Sequence, residues 1–133
     1  MKTIIAFLLF NFMNMSQDFN DRRIIVLSAE DLNSRVKEQI DKLRKNPMKL
    51  EERKLAVFTL VNGEVTSIFN ASKKSKIFVE NNKTSYPTSS SIHVFLIGLD
   101  QTVKQTFSEV IDPREIFEIV DSMPMRQAEM RRN

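Results

Sequence analysis

The stretch R-R-I-I-V-L-S-A-E-D, residues 22–31, decides the fold, because an apolar β-branched run is followed at once by signals for a helix start. Residues 22–27 have the composition of a buried strand. Ser28 is the predicted N-cap, with Asp31 as its acidic partner three residues later. Pro47 is predicted to end the helix. The apolar stripe of this helix consists of Leu32, Val36, Ile40 and Leu43, at spacings of four and three residues.

A second strand and a hairpin are predicted next. Residues 54–61, K-L-A-V-F-T-L-V, form an apolar run, and Asn62-Gly63 is a strong signal for a two-residue turn. Residues 64–69, E-V-T-S-I-F, are then expected to return as a short strand. Residues 71–91 are polar and rich in serine, so the sequence predicts at most one irregular helix there, near residues 76–80.

The last part of the chain reads as two strands and a helix. Residues 92–98, I-H-V-F-L-I-G, predict a buried strand, and residues 102–110 alternate well enough to pair back on it. Asp112-Pro113 supplies a cap and a first-turn proline. The helix buries Ile116, Phe117, Val120 and Met123 until Pro124 interrupts it. The order β-α-β, a variable middle and β-β-α predicts an α/β, thioredoxin-like domain, with helices packed on a central mixed sheet.

Composition limits the classes of function. The chain has 133 residues, a net charge of +3 and no cysteine. Basic and acidic residues are interspersed, and dense basic runs occur only at residues 73–76 and at Arg131-Arg132, so a nucleic-acid interface is not expected. Without cysteine the chain has no thiol of its own for redox chemistry and no site for a lipidated cysteine. A cysteine-free exported domain is typical of bacteria rather than of small animal secreted proteins.

The N-terminus predicts export. Lys2 precedes the apolar run I-I-A-F-L-L-F-N-F at residues 4–12, and a polar stretch follows it. This is the layout of a secretory signal peptide, and the run is too short to span a bilayer. We expect a signal peptide over residues 1–16, a domain over residues 20–132, and a periplasmic or secreted location. The alternative is an N-terminal strand of the domain. No later segment has the length of a membrane helix.

Four segments resemble the P-DUDES family, a domain-of-unknown-function family of bacterial exported proteins that is shared with animal extracellular proteins such as the sushi-repeat proteins. They are L-E-E-R-K-L-A-V-F (50–58), F-L-I-G-L-D-Q-T-V-K (95–104), D-P-R-E-I-F-E-I-V-D (112–121) and M-P-M-R-Q-A-E-M-R-R (123–132). The resemblance covers roughly residues 20–132 and implies a thioredoxin-like fold related to peroxiredoxins. It implies no activity.

The redox position of such a fold holds no sulfur here. A reactive cysteine would stand at the start of the first helix, where the sequence has Ser28, Glu30 and Asp31. These are expected to cap the helix. His93 lies in a predicted strand and is expected to be a hydrogen-bonded structural histidine, because no second His or Cys completes a usual zinc set. No cofactor is expected, since two glycines cannot build a nucleotide-binding loop.

The C-terminal tail is expected to dock on the domain. Pro124 starts it, and Met125, Ala128 and Met130 offer an apolar side. Arg126 and Glu129 are three residues apart and can pair on a helical turn. Alternatively, the tail is a frayed basic end.

Three functional hypotheses remain. The first is a non-catalytic exported domain that binds an unknown protein or extracellular ligand. The second is an enzyme of unassigned type, and the third is an accessory subunit of a periplasmic complex. A clustered carboxylate and histidine in a deep pocket would favour the enzyme, and an exposed apolar patch would favour binding.

Overall fold

The computed structural model describes residues 19–132, so the predicted signal peptide, residues 1–16, lies outside the described part. The elements in chain order are β1 (Arg23–Ala29), α1 (Ser34–Arg44), α2 (Pro47–Glu52), β2 (Leu55–Val61), β3 (Glu64–Phe69), α3 (Lys73–Asn82), a 3₁₀ turn (Lys83–Ser85), β4 (His93–Ile97), β5 (Val103–Phe107), α4 (Pro113–Asp121) and α5 (Pro124–Arg132).

The five strands form one mixed sheet in the order β3-β2-β1-β4-β5. β1 and β2 run parallel, joined through α1 and α2, whereas the other three strand pairs are antiparallel. This mixed sheet with packed helices confirms the predicted α/β class and is consistent with a thioredoxin-like fold. β3 is one edge strand of the sheet and is connected to β2 by the predicted Asn62-Gly63 turn. Both residues of this turn have positive φ (51° and 76°).

Helices cover both faces of the sheet, which explains why all seven residues of β1 are buried. On one face, Ile25 and Leu27 of β1 pack in a cluster with Val36 and Leu43 of α1 and with α4. On the other face, Ile24 and Val26 pack with Val79 of α3 and with Phe95. Successive residues of β1 therefore serve opposite cores, as the period of a strand requires.

The predicted start of the first helix was wrong. Ser28 and Ala29 stay in β1, because the ladder continues to them: Ser28 pairs with Leu60 and His93. The N-cap is Asn33, whose side chain accepts hydrogen bonds from the backbone N–H of Arg35 (2.9 Å) and Val36 (3.0 Å). Leu32 consequently precedes the helix and is exposed.

The helix ends differ from the prediction as well. α1 ends at Arg44, and Pro47 is the first residue of α2 rather than a terminator. Proline is suited to that position, because its missing N–H would have no intrahelical partner there.

The polar stretch over residues 71–91 contains a regular helix, α3, and the 3₁₀ turn, as well as irregular chain. Ser72 and Ser75 form a reciprocal capping box at the start of α3, which gives a weakly amphipathic segment a defined beginning. The prediction of a helix near residues 76–80 is confirmed, although the helix is longer than expected.

The second half agrees with the sequence. β4 and β5 form the predicted hairpin. α4 begins at Pro113, the carboxylate of Asp112 accepts from the backbone N–H of Arg114 at 2.9 Å, and Ile116, Phe117 and Val120 are buried.

No helix within residues 19–132 has the length and apolar character needed to cross a membrane.

Candidate functional site

The end of the sheet at which a thioredoxin-like protein would carry its cysteine is closed by a loop. Ser28 is fully buried, and its hydroxyl donates to the carbonyl of Pro87 at 3.1 Å. The backbone N–H of Glu30 donates to Ser89, and Asn33 donates to the carbonyls of Ser90 and Ser91. These bonds hold residues 87–91 across the position, so Ser28 is a structural residue of the strand.

The other candidates at this end do not assemble into a site. His93 is the direct neighbour of Ser28 in the sheet and is half-buried, whereas Glu30 and Asp31 are exposed in the loop before α1. We expected His93 to be hydrogen-bonded, but its Nδ1 is buried without a hydrogen-bond partner among residues 19–132. Its ring lies 6.0 Å from that of Phe95 instead. Within the same residues, no three His, Asp or Glu side chains group as metal ligands would.

The C-terminal tail is a helix, α5, but the expected apolar contact was wrong. Met125 and Met130 are 43% and 40% exposed, and Arg126 is the buried residue of the helix. The expected pairing with Glu129 is present, at 3.6 Å between Nη1 of Arg126 and Oε1. α5 therefore contacts the domain mainly through charged groups.

A second buried arginine receives the carboxylate of α5. Arg23, at the start of β1, has a side chain only 1% exposed, and its Nη1 and Nη2 lie 3.3 and 3.0 Å from the two oxygens of Glu129. Nη1 also donates to the carbonyl of Arg53 at 2.9 Å. This bidentate geometry is the strongest form of an arginine–carboxylate contact.

Asp121, near the end of α4, connects two further arginines. Arg53 donates to both of its oxygens, at 3.0 and 2.9 Å, and Arg126 donates to Oδ1 at 3.1 Å. Arg126 also donates hydrogen bonds to the carbonyl and the side chain of Glu52.

The guanidinium of Arg53 lies 4.8 Å from the centre of the Phe117 ring, within cation–π range. We call Arg23, Arg53, Arg126, Glu52, Asp121 and Glu129 the arginine network.

The network holds the carboxylates of Asp121 and Glu129 in the ionised form. Partial burial alone would raise the pKa of Asp121, but hydrogen bonds from Arg53 and Arg126 outweigh it, so the pKa is lowered. The pKa of Glu129 is lowered in the same way, with burial opposing and the hydrogen bond from Arg23 prevailing.

Sequence reasoning missed four members of the network: Arg23, Glu52, Arg53 and Asp121. One signal was available for Arg23, because it lies in phase with Ile25 and Leu27 and therefore on a buried face of β1. A charge in that phase needs a buried partner. No local pattern indicates that the partner is Glu129, 106 residues later.

An apolar cavity of about 440 Å³ lies beside the network, at the opposite end of β1 from Ser28. It opens between the β4–β5 turn and the junction of α4 with α5. Its polar side chains include Arg23, Asp100 and Lys104, and its apolar wall comes from Leu99, Ile119, Met123, Pro124 and Met125.

The β4–β5 hairpin positions Lys104 at this cavity. Ile97 pairs with Val103 and Leu96 with Gln105, so Lys104 is the additional residue of a β-bulge. Gly98 leaves room for it, because a Cβ there would lie 2.7 Å from Cε of Lys104. Asp100 accepts from the Lys104 ammonium at 2.7 Å. Burial would raise the pKa of Asp100, but hydrogen bonds from Lys104 and Thr102 lower it.

Comparison with known proteins identifies the family alone. Residues 14–129 match the family described as "Domain of unknown function (DUF4174)". Searches of curated proteins and of solved structures find no match. The finer resemblance to P-DUDES is not settled by this match. Since the matched region covers most of the chain, the protein belongs to the DUF4174 family of domains of unknown function.

Proposed function

We propose that this protein is an exported, non-catalytic binding domain and that the apolar cavity beside the arginine network is its binding site. The cavity is the observation that carries the proposal. Its volume of about 440 Å³ is in the range of small-ligand pockets, and it combines apolar walls with a few polar groups. Such groups fix the orientation of a ligand, while the walls supply most of the affinity.

The opposite end of β1 supports binding rather than thioredoxin-type chemistry. Ser28 stands near the position of the reactive cysteine, and its hydroxyl is buried against the loop at residues 87–91. Export rests on the sequence of the N-terminus, where Lys2 precedes an apolar run of signal-peptide length.

The binding site can be tested by filling the cavity. Ser122 lines it from the end of α4, so we expect Ser122→Trp to occupy the space. The probe is octan-1-ol, followed through the backbone amide NMR signals of Leu99, Ile119 and Met123. The wild-type chain should show saturable shifts that Ser122→Trp loses. The matched control, Ser67→Trp, changes an exposed residue of β3 and should retain them. Shifts that survive Ser122→Trp would place the binding elsewhere.

Export has its own test, since it does not depend on the cavity. Mass spectrometry of the protein from its native host should find a mature N-terminus near Gln17 or Asp18, in the periplasm or the medium. Recovery of the chain with Met1 intact in the cytoplasm would contradict export and leave the binding proposal standing.

A further inference from the structure

We infer that the cavity binds a small amphiphilic carboxylate, with its apolar chain against Leu99, Ile119 and Met123 and its head group on the ammonium of Lys104. The inference rests on the proposed binding function and adds to it the chemical class of the ligand. Two features carry it: the way the hairpin presents Lys104, and the balance of charge around an otherwise apolar space.

Lys104 is held in place by several independent features of the hairpin. The β-bulge directs its side chain to the cavity, Gly98 leaves the space that its stem occupies, and Asp100 fixes the ammonium at 2.7 Å. Asp100 is itself positioned by the backbone N–H of Thr102 at 3.1 Å and by its hydroxyl at 2.8 Å. An ammonium has three N–H donors. Among residues 19–132, Asp100 is the acceptor that the structure gives it, so donors remain for a ligand.

The charges at the cavity favour an anionic head group. Two cations, Arg23 and Lys104, line it together with one carboxylate, Asp100. The terminal nitrogens of Arg23 are bound to Glu129 and to the backbone of Arg53, so this cation is fixed. Lys104 is about one third exposed, which leaves it accessible at the cavity. A carboxylate on Lys104 would gain a charge-assisted hydrogen bond, whereas an ammonium would have to compete with Lys104 for Asp100.

The apolar part of the cavity sets the size of the ligand. At about 30 Å³ for each water-sized group, 440 Å³ accommodates roughly fifteen non-hydrogen atoms. An unbranched acid of about eight carbons is within this limit. Met123 and Met125 form part of the wall, and unbranched thioethers adapt to chains of different shape.

The test compares three probes of one chain length: octanoate, octan-1-ol and octylammonium. Calorimetric titration of the full chain should give octanoate about tenfold tighter binding than octan-1-ol, the worth of one hydrogen bond to a charged group. Lys104→Met keeps the apolar stem but removes the ammonium. It should weaken octanoate about tenfold and octan-1-ol much less, because a neutral hydroxyl gains less from the ammonium than a carboxylate does. Lys76→Met, at an exposed lysine of α3, is the matched control and should bind as the wild type does.

Gly98→Ala is the second variant, because its Cβ would displace the stem of Lys104 while the ammonium stays in the chain. It should lower the affinity for octanoate more than for octan-1-ol. Equal affinity for octanoate and octan-1-ol in the wild type, or an unchanged affinity for octanoate in Lys104→Met, would overturn the head-group assignment and leave the binding cavity standing. Tighter binding of octylammonium would make Asp100 the partner and would also overturn it. Binding of none of the probes would overturn both proposals.

Discussion

The carboxylate of Glu129 lies 3.0 and 3.3 Å from the two terminal nitrogens of Arg23, a side chain that is 1% exposed and 106 positions earlier in the sequence. This contact joins the first strand to the last helix. It also explains how a helix with a poor apolar face is kept on the domain, because the partner of a buried guanidinium cannot leave without cost.

Glu129→Gln should therefore be strongly destabilising. The substitution keeps the shape of the side chain but leaves Arg23 without its counter-charge, which costs about 3 kcal/mol for a buried pair. Urea unfolding measures it as a lower midpoint with an unchanged slope. Glu118→Gln, at an exposed position of α4, is the matched control and should stay within about 0.5 kcal/mol of the wild type. A similar small effect of Glu129→Gln would show that the pair contributes little.

Acid should destabilise the protein through the same network. The folded-state pKa values of Asp121 and Glu129 are lowered, so the unfolded state binds protons first as the pH falls. Their contribution is complete above the unfolded carboxyl pKa, about 4, and is lost as the pH falls through the lower folded values. Thermal melts between neutral pH and about pH 3 should show a smaller acid-induced loss for Asp121→Asn than for the wild type.

The control for that experiment is Asp31→Asn, which changes an exposed carboxyl of the loop before α1. It should keep the wild-type dependence of melting temperature on pH. If Asp121→Asn keeps it as well, the acid sensitivity does not arise at Asp121.

The true cap of α1 gives a third prediction. Asn33→Ala removes two hydrogen bonds to the helix start and two to the loop carbonyls of Ser90 and Ser91, and should cost about 2 kcal/mol, at the upper end for a cap. Asn33→Asp keeps the acceptor and loses the donors, so it should be intermediate. Asp31→Ala should be nearly neutral. If urea unfolding shows Asp31→Ala to be more destabilising than Asn33→Ala, the result would favour the cap that the sequence predicted at Ser28.

The strands, the turn between β2 and β3 and the start of α4 could be predicted from the sequence, because each of their signals is local. The β-branched run of β1, the Asn62-Gly63 turn and the Asp112-Pro113 helix start each act within a few residues. The start of α1 could not be predicted in this way, since two neighbouring strands keep Ser28 and Ala29 in the sheet. Tertiary pairing there outweighs a good local cap.

Most of the candidate site could not be predicted from the sequence, for a related reason. The cavity is assembled from the start of β1, the β4–β5 turn and the α4–α5 junction, which lie far apart along the chain. The sequence predicts a docked tail, but it favours the methionines as the contact. A buried arginine such as Arg126 is rare, and one of the partners that explain it, Glu52, is 74 residues away in the sequence.

Removal of α5 distinguishes the two explanations of its docking. A chain that ends at Ser122 loses Arg126 and Glu129 and should be less stable by about 3 kcal/mol, roughly the worth of two hydrogen bonds between charged groups. The full chain with Met125→Ala and Met130→Ala keeps these bonds. It should lose no more than about 1 kcal/mol, because both side chains are over a third exposed.

Arg126→Met should resemble the truncation in direction, since it leaves Asp121 with one arginine fewer. If the double methionine variant melts as low as the truncated chain and Arg126→Met is neutral, apolar contact holds the helix. If all the variants melt with the wild type, α5 is not part of the cooperative unit.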